Sequence, residues 1–168
     1  MSVKSASAGG FAGTLVLTSV LRTASEARLT RMDLPFLLGT AVTADRDRAK
    51  MVGYGAHFGF GLLFALIYDR LFAATGRSGY RLGAAFGLIH GMFSATALVN
   101  ILLPTVHPRM GTPFTAAGAS PLIEAPGFLM RNYGRSTAAV TLAAHVLYGS
   151  IVGGFVSRDK LARRLECD

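Results

Sequence analysis

The sequence predicts an all-α fold, a polytopic membrane four-helix bundle built from two parallel helical-hairpin repeats. Three observations carry that expectation. Only 15% of the 168 residues are charged and 51% are hydrophobic, whereas an ordinary soluble domain carries roughly 25% charged residues. The charges are segregated, leaving four uncharged runs at 5–21, 51–68, 82–106 and 136–157. The second half of the chain also echoes the first. A hydrocarbon core about 30 Å thick is crossed by roughly 20 helical residues, with 17 to 25 the usual range, and all four runs meet that length.

The first run begins after Lys4 and is followed by small residues in "RTASEA", which also fits the pattern of a cleaved signal peptide. The repeat argues that it is retained. A shift of 88 residues carries Ala56-His57 onto Ala144-His145, Gly61 onto Gly149 and Arg70 onto Arg158. A shift of 78 carries Gly9 and Gly13 onto Gly87 and Gly91, and Pro35-Phe36 onto Pro113-Phe114. The first run thus belongs to hairpin 1, about 5–73, and hairpin 2 covers about 80–158, followed by a basic tail, 158–168. Two hairpins in one orientation form a parallel repeat about an axis along the membrane normal.

Helix packing has a small-residue signature, because lipid supplies little hydrophobic drive between helices and close backbone approach supplies contact instead. The second run carries Gly55 and Gly59, the third Gly83, Gly87 and Gly91, and the fourth Gly149 and Gly153. The loop between the second and third runs is a short turn broken by Gly76 and Gly79. The two other loops are long and hold "LPFLLGTAV" and "TPFTAAGA", apolar stretches too short to span, read as interfacial lids over one end. Pro104 is expected to end the third helix. Pro108 then holds His107 extended in an exposed connector.

Lys and Arg divide nearly evenly, nine on the long-loop side against eight on the other. Charges in short loops near helix ends weigh most in orientation, which puts the short loop and both termini in the cytoplasm. The net charge of +8 has scattered carriers and no basic helix interleaved with aromatics, so it points to anionic lipid and away from nucleic acid. The single Cys167 excludes an intrachain disulfide.

Chemistry-bearing residues inside the runs are few. Measured from the long-loop side at 1.5 Å per residue, His57 lies about 9 Å deep, His145 about 14 Å and His90 about 24 Å, with His107 at the surface. His57 and His145, related by the repeat and joined by His90, are the candidate ligands for a metal or a haem. The competing reading makes each imidazole an interhelical hydrogen-bonding group. His107, Arg109, Asp33, Glu124 and Tyr133 form a candidate polar mouth; the competing reading is that Arg109 and Arg131 simply balance Asp33 and Glu124 at the interface. The runs contain no Asp or Glu, which weakens a carboxylate-based transporter. No phosphate loop, dinucleotide fingerprint, HExxH, G-x-S-x-G or paired Cys occurs, so an enzyme is disfavoured.

The stretches "MDLPFLLGT", "HFGFGLLFALIY", "FGLIHGM", "LLPTVHPRMG", "EAPGFL" and "AAHVLYGSIVG" together resemble a family of small bacterial integral membrane proteins with four spans and recurring histidines, HPRM being the most specific motif. The resemblance covers about residues 9–155. It implies a multi-pass bacterial inner-membrane protein and carries over neither an activity nor functional residues. The function expected from the sequence is a non-enzymatic accessory or interaction subunit with a candidate intramembrane histidine site, binding no cofactor. Its partners are the bilayer and a homo-oligomer or larger membrane complex. The alternatives are a metal- or haem-binding redox module and an oligomeric transporter of small solutes or ions.

Overall fold

The computed structural model describes residues 3–111 and 123–165, with side chains through Asp159. It is mostly helical. In chain order come α1 (Val3–Glu26), α2 (Leu34–Gly39), α3 (Arg46–Ala74) and α4 (Tyr80–Phe93). α4 continues without a break as a π-helical segment, Ser94–Leu102, and then as α5, Leu103–Val106. Two-residue strands β1 (Met110–Gly111) and β2 (Ile123–Glu124), a 3-10 segment (Phe128–Tyr133) and α6 (Thr137–Leu165) complete it. The strands pair in parallel, Met110 with Ile123 and Gly111 with Glu124. The expected second lid, "TPFTAAGA", the Pro113-Phe114 match and Cys167 lie outside the described residues.

Three helical stretches are long and apolar enough to cross a membrane: Arg46–Ala74, Tyr80–Val106 and Thr137–Asp159. α1 forms over the expected residues but is not among them, and its composition explains why. Seven of its 24 residues are Ser or Thr. Several of those hydroxyls are returned to the helix itself: Thr14 donates to the Gly10 carbonyl and Thr18 to that of Thr14, both at 2.7 Å, and Ser19 to that of Leu15 at 2.9 Å. Internal bonding of this kind removes the need for water or a partner. The helix closes with Arg28 in the left-handed region (φ 59°) and the Leu29 N–H on the Ala24 carbonyl, an αL stop usually given to glycine.

The chain divides into two compact units. The first comprises Met1–Val20, Phe58–Gly91 and Leu142–Asp168, the second Leu21–His57 and Met92–Thr141. Both are discontinuous in sequence, and the division does not follow the two hairpins.

In the first unit, backbones touch where glycines face each other. A Cβ built on Gly83 falls on the Gly149 carbonyl, one on Gly87 on the His145 carbonyl, and one on Gly153 on the Gly79 carbonyl. Rising numbers on α4 meet falling numbers on α6, so the two helices run antiparallel. α1 meets α3 in the same sense, with Gly10 against Ala65 and Gly61, and Gly61 against Thr14. It also meets α6, with Gly9 beside Val152 and Phe155 and Gly13 beside Tyr148. Ala6, Ala65, Phe72, Ala144, Tyr148 and Val152 are almost fully buried between them. Gly55 and Gly59, by contrast, face open space. The contact-making glycines on α1 and α3 are Gly9, Gly10, Gly13 and Gly61, which spacing alone did not select. On the outer face of α3, Phe60, Leu63, Ile67 and Leu71 form an exposed stripe, the face expected against lipid.

In the second unit, the first apolar lid is the short helix α2. Asp33 caps it, its carboxylate accepting the Phe36 N–H at 3.0 Å, and Pro35 stands in its first turn, where no N–H is needed. α2 lies on the first turns of α3 with backbones in contact, Gly39 against Ala49 and Pro35 against Gly53.

Pro104 does not end the third long helix, which runs on to Val106. The ring requires a helix with no donor at its position, and the preceding nine residues already depart from α pitch. The closing bond of that wider coil runs from Leu103 N–H to the Leu98 carbonyl, five residues back, and π bonding of this kind is rare. Asn100 fills part of it, its amide donating to the Ala95 carbonyl at 2.5 Å.

Candidate functional site

The imidazoles fall into two settings. His90 and His145 belong to the first unit, where they meet edge to face with centroids 4.6 Å apart. The His90 ring stacks on Phe64 at 3.8 Å, and its Nδ1 lies 3.3 Å from the Tyr68 hydroxyl. Tyr68 packs edge-on against Tyr148 at 5.7 Å, and the Tyr148 hydroxyl donates to the Gly61 carbonyl at 2.5 Å. Helix period explains the gathering. Ala65, Tyr68 and Phe72 stand on the buried face of α3, and His90 is one turn from Phe86, which touches both Tyr68 and Phe72. The result is a ring cluster with polar atoms directed inward. Gly91 and Gly87 fit around the His145 side chain and backbone, so the imidazole is enclosed by helix instead of by a cleft.

His57 is buried and belongs to the second unit. Among the described residues no three His, Cys, Asp or Glu side chains gather as ligands for a metal ion.

His107 is not at the surface. It is 5% exposed and fastens the loop after α5 to α2. Its Nδ1 accepts the Arg109 N–H at 3.2 Å, and its Nε2 lies 3.1 Å from the Leu37 carbonyl and 3.3 Å from the Thr40 hydroxyl. An acceptor at Nδ1 puts the proton of the neutral ring on Nε2, which donates to Leu37. Burial first, and the Arg109 charge after it, hold its pKa below the usual histidine value. Pro108 acts as expected: His107 is extended, at φ −85° and ψ 110°. Arg109 also closes on α2, its guanidinium donating to the carbonyls of Thr40 at 3.0 Å and Ala41 at 3.3 Å. Cations suit the carbonyl end of a helix.

The expected polar mouth therefore divides. Asp33 pairs with Lys50 at 3.6 Å and Glu124 with Arg31 at 3.8 Å, so the partners are not Arg109 and Arg131. The Tyr133 hydroxyl donates to the Glu124 carbonyl at 2.5 Å. Burial, and then the Glu124 charge, push Tyr133 up to about 12. Arg31 binds the far side of the same corner through the Asn132 carbonyl. The Thr30 and Thr137 hydroxyls meet at 2.7 Å beneath it. The 3-10 segment carries two successive left-handed residues, Leu129 and Met130, at φ 54° and 58°. Met130 is nevertheless buried, and its sulfur accepts the Thr141 hydroxyl at 3.4 Å.

One group escaped the sequence reading. Asp69 ends no helix: α3 continues to Ala74, and Asp69 stands on the same face as Ala65, Tyr68 and Phe72, 3% exposed. Among the described residues no hydrogen bond or ion pair reaches its carboxylate. The spans are thus not free of acidic side chains. The signal was the period: Asp69 lies four residues after Ala65 on the helical repeat of the buried face.

No protein-family model, curated protein or solved structure matches the chain.

Proposed function

We propose that the chain is a non-enzymatic, four-pass integral membrane protein of the bacterial inner membrane, built from two parallel hairpins and acting as an accessory or interaction subunit. Three apolar stretches support the membrane setting. α1, at 24 residues, is the fourth pass, its Thr14, Thr18 and Ser19 hydroxyls returned to the helix and Gly9, Gly10 and Gly13 packed on α3 and α6. The repeat is supported by equivalent positions doing equivalent work. Gly61 and Gly149, 88 residues apart, each lie in the antiparallel contact within their own hairpin, on Thr14 and Gly83 respectively.

The observation that carries the functional reading is the packing of half-buried His90 against buried His145. Their edge-to-face contact at 4.6 Å and the glycine-to-backbone contacts of α4 with α6 leave no slot for a flat macrocycle between the two rings. The histidines serve helix association through polar and ring contacts. An accessory subunit needs such a rigid interior and an apolar exterior for neighbouring helices.

The test has two arms. The chain, tagged and extracted in mild detergent, elutes as part of a larger assembly with other polypeptides, and the purified chain shows no Soret absorbance and passes no solute or ion in vesicles. A Soret band lost in His90→Ala, or flux carried by the purified chain alone, overturns the reading.

A further inference from the structure

We infer that His107 is a proton-operated latch on the π-helical coil Ser94–Leu102: a second proton on its ring lifts the loop His107–Gly111 off α2 and frees the distal end of the coil. The inference goes beyond the accessory role and rests on the clasp alone.

The latch is a ring that both of its neighbours read in one protonation state. Nδ1 accepts the Arg109 N–H at 3.2 Å, and Nε2–H donates to the Leu37 carbonyl at 3.1 Å. Only the neutral ring does both. A proton on Nδ1 sets two N–H groups against each other at a site 5% exposed, where little water can replace the lost acceptor. It also puts a second charge beside the Arg109 guanidinium, which is itself held 3.0 Å from the Thr40 carbonyl. Among the described residues no carboxylate offsets it. α2 and α5 carry no ionisable side chain. Asp33, at the far end of α2, is paired with Lys50, and Glu124 on β2 with Arg31. Arg46, Asp47 and Arg48, in the first turn of α3, are exposed. Burial and the Arg109 charge are what hold the ring below its usual value.

The coil supplies the load on the latch. Its pitch is rare, and segments of this kind are frequent at functional sites. The Asn100 amide donates to the Ala95 carbonyl, which leaves Oδ1 as the buried side-chain polar atom without a partner among the described residues. A buried acceptor left unmatched costs its desolvation in full, so the coil is held in this form and does not rest in it. Pro104 gives its last turn no N–H. Beyond it the His107 N–H closes α5 on the Leu103 carbonyl, and the His107 ring fastens that end to α2. The titrating group thus stands at the end of the strained element.

The sign follows from the docked ring's lowered value. As pH falls through about 6.5, the lifted form binds the proton first. The ratio of lifted to docked chains rises by up to about tenfold per pH unit in that window and levels off below the docked value.

Paired spin labels at Val42→Cys and Val106→Cys test this on the full chain in phosphatidylethanolamine and phosphatidylglycerol vesicles, with Cys167→Ser removing the native thiol. Both valines are exposed, and the pair reads the distance from the end of α2 to the end of α5. The expected result is one distance at about pH 7.5 and a second, longer one that grows reversibly between about pH 6.5 and 5. Its growth keeps step with the His107 resonance of isotope-labelled histidine, assigned by its loss in His107→Gln. His107→Gln keeps the single distance throughout; if that variant does not fold, the agreement of distance and resonance in the wild type decides alone. Asn100→Leu, which has no orphaned acceptor, moves the midpoint to lower pH. A distance indifferent to pH, a change out of step with the resonance, an equal change in His107→Gln, or an unmoved midpoint in Asn100→Leu overturns the proposal. Flux and co-purification, which test the accessory role, are separate readouts.

Discussion

Titrating the His107 clasp gives a stability change with a definite sign. The folded chain uses the neutral ring in both directions, Nδ1 as acceptor from Arg109 N–H and Nε2–H as donor to the Leu37 carbonyl. A second proton on Nδ1 would set one N–H against another, beside the Arg109 guanidinium. The folded pKa therefore lies below the ordinary value of about 6.5. Between those two values the unfolded chain binds a proton that the folded chain refuses. Stability thus rises with pH in that window and is lost as pH falls from about 6.5 toward the folded value, with a limiting slope of about 1.4 kcal/mol per pH unit. His107→Gln keeps a donor able to reach Leu37 and cannot titrate, so its stability loses this slope. His107→Ala gives up its hydrogen bonds to the Leu37 carbonyl and from the Arg109 N–H at roughly 1 kcal/mol each, costing about 2 kcal/mol in all, while the Thr40 hydroxyl still donates to Leu37. Thermal or denaturant unfolding in detergent across about pH 5 to 7.5 reads all three chains. A wild-type profile with the same slope as His107→Gln would refute both the tautomer and its role as a clasp.

Other substitutions separate contact from composition. Gly87→Ala drives a methyl into the His145 carbonyl and forces α4 from α6, with an expected loss of about 3 kcal/mol or more of unfolding free energy, whereas Gly55→Ala and Gly59→Ala meet open space and raise stability by roughly 0.5–1 kcal/mol through helix propensity. Tyr68→Phe removes the hydroxyl beside His90 Nδ1 and costs about 1 kcal/mol, read in the same assay; no loss would show that the 3.3 Å approach is not a bond. Arg28→Gly relieves a left-handed residue after α1 and gains about 1 kcal/mol, visible as a higher unfolding midpoint.

Where physics acts through local chemistry, the sequence was a good guide. The uncharged runs became long helices, Pro108 extended His107, and Gly83, Gly87, Gly149 and Gly153 marked the helix contact because only glycine admits that approach. Where the outcome depends on which face a helix presents, spacing misled. Gly55 and Gly59 share the four-residue interval of Gly83 and Gly87 yet face outward, while Gly10 and Gly61, less regular in sequence, do the packing. His107 was placed at the surface because two prolines flank it closely, and burial came from α2, whose carbonyl end supplies partners 70 residues away. The second run was stopped at Tyr68 because charge was allowed to define the boundary, which left Asp69 in the turn. α3 carried it inward on the period of Ala65, Tyr68 and Phe72. Nothing in the composition of Ser94–Leu102 announces its wider coil, since π pitch has no residue signature of its own.

That coil sets a rule for chain length. Each of its turns holds one residue more than the α-helix that follows, so the angle at which the chain reaches Pro104 depends on how many residues were wound before it. Removing or adding one between Ser94 and Leu102 turns the distal end about its own axis and swings His107 away from Leu37. Side chains along the outer flank can be exchanged freely, but the 13-residue interval from Ser94 to His107 is a dimension of the protein, as fixed as a bond length and enforced by a lock at its far end.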